Sequence, residues 1–192
     1  MPVNLPNLLT WFRILTIPVV IGAYYCPDTW LNMSQRNLVA TSVFVAAAIT
    51  DWLDGYLARR LNQMSAFGAF LDPVADKLMV AAALIMLVEL ERVSAVIATI
   101  IIGREIAISA LREWMAGVGQ SKSVAVSLVG KVKTAFQLIA IPMLLYHSSI
   151  NSPVGRIEPA VLGYWMVHIA AALTLISMFY YLKLAWPIRP KD

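Results

Sequence analysis

Charged residues are scarce in this chain of 192 residues. Only 14% of its residues are charged, while 60% are hydrophobic and the mean hydropathy is +0.73. Soluble domains average about 25% charged and about 45–50% apolar residues. The shortage of charge excludes an ordinary water-soluble domain, and the excess of apolar residues predicts an integral membrane protein.

Cysteine, polar linkers and internal repeats are also rare or missing. The single cysteine, Cys26, cannot form an internal disulfide, so the sequence implies no oxidising compartment. With no linker or composition shift, residues 1–192 are predicted to form one membrane-embedded domain. The net charge of +4 does not indicate nucleic acid, because the chain has no basic helix or aromatic-basic surface in a soluble context. We therefore expect no nucleic-acid partner.

Apolar segments of membrane-spanning length recur along the chain. A helix needs about 20 predominantly apolar residues to cross a bilayer. Six segments meet this length and are separated by stretches rich in turn-forming residues. The sequence predicts an all-α bundle of six transmembrane helices, at about residues 7–25, 35–60, 67–90, 93–116, 127–147 and 158–182.

Basic residues give the bundle an orientation. With the N-terminus inside, 12 of the 15 lysines and arginines fall at inner ends of the predicted helices, and the other three are Arg36, Arg92 and Arg156. Lysine and arginine accumulate on the cytoplasmic side of membrane proteins. Both termini are therefore predicted to be cytoplasmic, although some of the inner basic residues can serve a site instead of setting the topology.

One stretch breaks the general shortage of charge. Residues 51–77, DWLDGYLARRLNQMSAFGAFLDPVADK, contain four aspartates, two arginines and a lysine. They occupy the end of the second predicted helix and the start of the third, so a helical hairpin brings the four carboxylates to one depth. An ionised carboxylate that faced lipid there would cost several kcal/mol. The aspartates are therefore expected to face inward, onto water or a ligand.

The spacing of these aspartates favours a single site. Residues three or four apart share a helix face, which places Asp51 with Asp54 and Asp72 with Asp76. Four neighbouring carboxylates cannot all stay ionised unaided, so they must be protonated, paired with lysine or arginine, or bound to cations. Carboxylate oxygens suit hard divalent ions, and two such ions form a clamp for phosphoryl chemistry. We expect two Mg²⁺ or Mn²⁺ ions.

Small residues accompany the acids. Gly55, Ala58 and Gly68 leave the helix faces bare beside the carboxylates, and Arg59 is placed to meet an anion. This pattern predicts space for the phosphates or the base of a ligand. The alternative is structural, because small residues also allow close helix packing in membranes and Arg59 can anchor the helix at the interface.

Together these residues form a motif. It resembles the signature of the CDP-alcohol phosphatidyltransferases, and every position is matched by eight residues in order: Asp51, Asp54, Gly55, Ala58, Arg59, Gly68, Asp72 and Asp76. Outside it, PNLLTWFR near the start, ALREWMA at 110–116 and GKVKT at 130–134 resemble the bacterial branch of the family that makes phosphatidylglycerophosphate.

The resemblance implies a reaction and roles for the motif residues. CDP-diacylglycerol and sn-glycerol 3-phosphate would give phosphatidylglycerophosphate and CMP in a bacterial cytoplasmic membrane, with the active site facing the cytoplasm and the protein a homodimer. Asp76 would be the general base. The metal ligands would be Asp51, Asp54, Asp72 and Asp76. The CDP moiety would contact Asp51, Gly55, Ala58, Arg59 and Gly68.

A second, basic cluster is expected to hold the phosphate of the acceptor. Its members lie at the predicted inner ends of helices four and five: Arg104, Arg112, Lys131 and Lys133. Arginine binds phosphate in a bidentate manner and lysine supplies a point charge. The alternative for each is simple positive-inside placement. Thr10 and Arg13, at the start of the first helix, are predicted to close the cytoplasmic mouth or to be interfacial polar residues.

Two other functions compete with this prediction. The signature concerns the shared CDP donor, so another acceptor, such as inositol phosphate, serine or a phospholipid, is the first alternative. A cation or proton transporter is the second, because transporters also bury carboxylates in their spans. Transporters often contain inverted repeats and helices broken at the midplane, and the sequence has neither feature.

Overall fold

Six α-helices follow the six predicted segments. The computed structural model describes residues 5–61, 66–117, 128–153 and 155–185. Every helix begins and ends within three residues of its predicted bounds, which confirms the all-α architecture: α1 (Leu5–Tyr25), α2 (Met33–Leu61), α3 (Ala66–Glu89), α4 (Ala95–Gly117), α5 (Leu128–Tyr146) and α6 (Pro159–Ala185).

The helix ends are set by local chemistry. Asn32 and Gln35 form a reciprocal capping box at the start of α2, with N–H to side-chain oxygen distances of 2.9 and 3.0 Å. Ser94 Oγ accepts a hydrogen bond from the Ile97 N–H at the start of α4. Glu91 and His147, just beyond α3 and α5, adopt left-handed conformations that end these helices.

A small β-hairpin connects α5 to α6. Strands β1 (Ile150–Ser152) and β2 (Gly155–Ile157) pair antiparallel, and Gly155 has φ of 134°. The sequence predicts only a turn in this connection. Its strands have three residues each, which is too short for an alternating hydrophobic pattern to appear in the sequence.

The helices pack in a ring. Around it the order is α1, α2, α5, α6, α4 and α3, with α3 returning to α1 and also touching α5 across the interior. Gly163 permits a close approach of α6 to α5, because a Cβ at this position would lie 3.0 Å from Leu144 Cγ. Since every helix has an inner face, every helix is able to contribute to a site inside the ring.

Two arginines form hydrogen bonds that link the helix ends at one end of this ring. Arg92 donates to the carbonyl oxygens of Leu144 and Leu145 at 3.1 and 2.8 Å and to Asn37 Oδ1 at 2.8 Å, which joins the α3–α4 turn to α5 and α2. Arg36 donates to the Cys26 carbonyl at 2.6 Å. These are two of the three basic residues predicted at the outer end, and they hold helix ends together there.

The outward face of the bundle is apolar. Each helix carries at least one large hydrophobic side chain that is exposed: Leu15, Ile49, Ile85, Ile106, Ile139 and Trp165. Within the described residues, two helical segments are long and apolar enough to cross a membrane, Leu8–Tyr25 and Pro159–Lys183, and Val132–Tyr146 is a shorter apolar stretch. Charged residues lower the mean hydropathy of α2, α3 and α4.

Candidate active site

Residues of α1 bind two of the motif aspartates. Arg13 Nη1 lies 2.6 Å from Asp51 Oδ1 on α2, and the Thr10 hydroxyl donates to Asp72 Oδ1 on α3. Thr10 and Arg13 are one turn apart and are fully buried. Their predicted place at the mouth stays a prediction, but the structure gives them a more specific contact: they hold carboxylates from two other helices.

Asp76 lies beside a cavity between α3, α4 and α5 that is lined by both polar and apolar side chains. The cavity has a volume of about 80 Å³, and its lining includes Asp76, Lys77, Glu105, Thr134 and Gln137. The charges that act on Asp76 come from Asp51, Arg13, Glu105 and Lys77. The carboxylates of α2, α3 and α4 are therefore close enough to influence one another, as the sequence predicts for those of α2 and α3.

Glu105 joins the basic residues of α4 and α5. Its Oε1 accepts hydrogen bonds from Lys133 Nζ and, at 3.3 Å, from Arg104 Nη1. Arg104 also donates to Ser177 Oγ on α6 at 3.1 Å. Arg104 and Lys133 are both buried, so their charges require a partner in this apolar setting, and Glu105 is that partner.

An aromatic ring of α6 completes the basic cluster. The guanidinium carbons of Arg104 and Arg112 lie 5.8 and 5.7 Å from the centre of the Tyr181 ring, within the range of a cation–π interaction. Arg104 Nε is buried and makes no hydrogen bond within the part of the chain that is described. The cluster therefore retains a donor that is suited to an anion.

Comparison with known proteins places this arrangement in a family. The family model described as CDP-alcohol phosphatidyltransferase matches residues 3–180.

The chain belongs to this family.

Individual relatives are similar over nearly the whole chain. A Yersinia enterocolitica protein is 48% identical over 188 residues, which cover 97% of both chains. A Pseudomonas fluorescens protein is 50% identical over 96% of this chain and 91% of its own length. A Salmonella choleraesuis protein is 48% identical over 96% of each chain. All three are named CDP-diacylglycerol–glycerol-3-phosphate 3-phosphatidyltransferase.

Part of the family signature lies in side chains that the structure does not describe. These are Asp54, Gly55, Ala58 and Arg59, whose backbone belongs to α2, and the same holds for Lys131 on α5. Gly68 is buried on α3. The roles predicted for these residues in binding CDP, metal or acceptor phosphate stay predictions.

The donor set suits a divalent metal chemically. Asp51, Asp72 and Asp76 offer carboxylate oxygens, the ligands that Mg²⁺ and Mn²⁺ prefer. Arg13 and Thr10, however, each take up one of these oxygens. Among the described residues no three acidic, histidine or cysteine side chains come together as in a metal site, and the side chain of Asp54 lies outside that description.

Sequence reasoning missed several polar residues that the structure brings to the site. Ser177 and Tyr181 lie one turn apart on α6, and Thr134 and Gln137 lie on α5. A signal was present for Gln137, because it is a polar residue one turn after Lys133 in an otherwise apolar stretch. No comparable signal marks Tyr181, which resembles any aromatic residue near a helix end.

We predict that Arg13→Met lowers the free energy of unfolding in detergent by about 1–3 kcal/mol, since it leaves the half-exposed carboxylate of Asp51 without its buried partner. Arg13→Lys should retain more of the stability because it keeps the charge. The matched control is Arg156→Met, which removes an exposed arginine paired with exposed Glu158 and should cost about 0–1 kcal/mol. Equal losses at the two arginines would contradict the buried pairing.

Proposed function

We propose that this chain transfers the phosphatidyl group of CDP-diacylglycerol to sn-glycerol 3-phosphate, giving phosphatidylglycerophosphate and CMP. The observation that carries the proposal is near full-length identity of 48–50% to relatives whose names state this donor and acceptor. The geometry is compatible, because the carboxylates of α2 and α3 lie beside a basic cluster from α4 and α5.

The transfer exchanges one phosphorus–oxygen bond for another. The acceptor hydroxyl oxygen attacks the phosphatidyl phosphorus while the bond to CMP breaks, and CMP leaves with the electron pair. Asp76 takes the proton of the hydroxyl, which is a poor nucleophile until it is deprotonated. Asp76 suits this role because it lines the cavity between α3, α4 and α5, where an acceptor can approach it.

Two divalent ions, Mg²⁺ or Mn²⁺, would be held by Asp51, Asp54, Asp72 and Asp76. When bound, they would neutralise the charge that develops on the departing phosphate. Asp51, Gly55, Ala58, Arg59 and Gly68 would contact the CDP moiety. The chemical fit of carboxylate oxygens to hard cations supports this proposal.

The phosphate of the acceptor would bind the basic cluster. Arg104 Nε is the buried donor that supports this assignment most directly. Arg112 lies against the same tyrosine ring, and Lys133 reaches the same glutamate. Lys131, near the start of α5, would be the fourth member, as the family resemblance implies.

A lipid donor also needs room for its acyl chains. Two apolar grooves of about 520 and 540 Å³ flank α2 on the outside of the bundle. One is lined by Phe12, the neighbour of Arg13, and the other by Leu138, which also lines the cavity beside Asp76. The groove that shares Leu138 with the cavity thus adjoins the polar site, as required for chains attached to a bound headgroup.

The six helices would span a bacterial cytoplasmic membrane, with both termini and the active site on the cytoplasmic side, and two copies would form a homodimer. The apolar exterior of all six helices supports the spans. The excess of basic residues at the predicted inner ends, 12 against three, supports the orientation.

The reaction is tested by CMP release from CDP-diacylglycerol by the purified protein. Glycerol 3-phosphate, inositol phosphate and serine are offered separately, each with Mg²⁺, with Mn²⁺ and with EDTA. We expect metal-dependent release with glycerol 3-phosphate alone. Release with another acceptor would refute glycerol 3-phosphate as the substrate. Undiminished release in EDTA would refute the requirement for a metal. No release with any acceptor would refute the transferase proposal.

Asp76→Asn should reduce turnover by roughly 10²–10⁴-fold, the usual contribution of a general base, while CDP-diacylglycerol binding is retained. The matched control is Glu89→Gln, which removes an exposed carboxylate at the other end of the same helix and should leave turnover unchanged. Wild-type turnover in Asp76→Asn would exclude Asp76 as the base.

A further inference from the structure

Gln137 is a buried polar residue that the proposed reaction does not use. It lies on α5 one turn after Lys133, its side chain is 5% exposed, and it lines the cavity of about 80 Å³ beside Asp76. Among the described residues, its side-chain amide has no hydrogen-bond partner. Because a polar group in such a position is nearly always satisfied by protein, water or ligand, this amide is available to a molecule that enters the cavity.

Two other polar groups of the cavity are already engaged. Glu105 accepts hydrogen bonds from Arg104 and Lys133, and the Thr134 hydroxyl donates to the Gly130 carbonyl at 2.9 Å. Asp76 is assigned to the reacting hydroxyl. Lys77 also lines the cavity, but its ammonium can only donate, whereas the Gln137 amide both donates and accepts hydrogen bonds as a hydroxyl does.

The size of the cavity suits a short polyol. One water molecule requires roughly 10–15 Å³ of such space, so about 80 Å³ accommodates a fragment of several heavy atoms. In glycerol 3-phosphate the carbon next to the reacting hydroxyl bears a second hydroxyl. When the first hydroxyl meets Asp76, the second lies within the same cavity.

We propose that Gln137 recognises the non-reacting hydroxyl of the acceptor, on the middle carbon of glycerol 3-phosphate, and so selects a vicinal diol phosphate. This inference rests on the proposed function, because it assumes that Asp76 receives the reacting hydroxyl. Gln137 thereby determines specificity and takes no part in the chemical step.

The test compares two acceptors on each preparation of the full chain. One is sn-glycerol 3-phosphate, and the other is 3-hydroxypropyl phosphate, which lacks the middle hydroxyl. We expect the wild type to prefer the diol by roughly 10–100-fold in kcat/KM, the effect of leaving a buried amide unpaired. In Gln137→Met, which keeps the side-chain length, the preference should fall to within about 3-fold.

The ratio of the two kcat/KM values does not depend on the fraction of folded enzyme, so partial misfolding does not obscure it. Gln137→Leu is the second variant, and Thr41→Val, which removes a buried hydroxyl on α2, is the control that should keep the wild-type ratio.

Three results would count against the proposals. A wild type inactive with glycerol 3-phosphate would refute the proposed function. An active wild type whose preference persists in both Gln137 variants would refute this inference alone. Loss of turnover with both acceptors in variants that bind CDP-diacylglycerol normally would also refute it, because a contact to the middle hydroxyl is irrelevant to the acceptor that lacks it.

Discussion

A charge inside an apolar helix bundle must have a partner, and this constraint organises the interior of the protein. Arg13 is fully buried and pairs with Asp51, while Arg104 and Lys133 are buried and share Glu105. Each pair except Arg104–Glu105 joins two helices. Because desolvating an unpaired ion costs several kcal/mol, these contacts restrict which helices can be neighbours and at what depth. Together with the apolar core, they favour the observed order of the six helices in the ring.

In the proposed reaction the same pairing would prepare the site for an anionic substrate. Arg13 and Thr10 hold Asp51 and Asp72, and Glu105 holds Arg104 and Lys133. Partners of this kind would be exchanged for the phosphates and metals of a bound substrate without leaving a charge uncompensated. The apolar groove that shares Leu138 with the cavity would take the lipid chains beside this polar interior.

Much of this arrangement follows from the sequence. Apolar segments of about 20 residues determine the six helices, and the three-to-four-residue spacing of Asp51, Asp54, Asp72 and Asp76 determines a shared face. The sequence does not determine which helix supplies a partner to which acid, because pairing between α1 and α2 or between α4 and α5 depends on packing across the ring. Tyr181 was missed for this reason, and the hairpin after α5 because its strands are too short to show periodicity.

The most direct test of the pairing constraint is a double-mutant cycle on Glu105 and Lys133, with the free energy of unfolding in detergent measured by denaturant titration. Glu105→Gln leaves the buried ammonium of Lys133 without its carboxylate and should cost about 3–5 kcal/mol. Adding Lys133→Met should recover part of that loss, giving a coupling of at least about 1 kcal/mol. Losses that add to within about 0.5 kcal/mol would contradict the account.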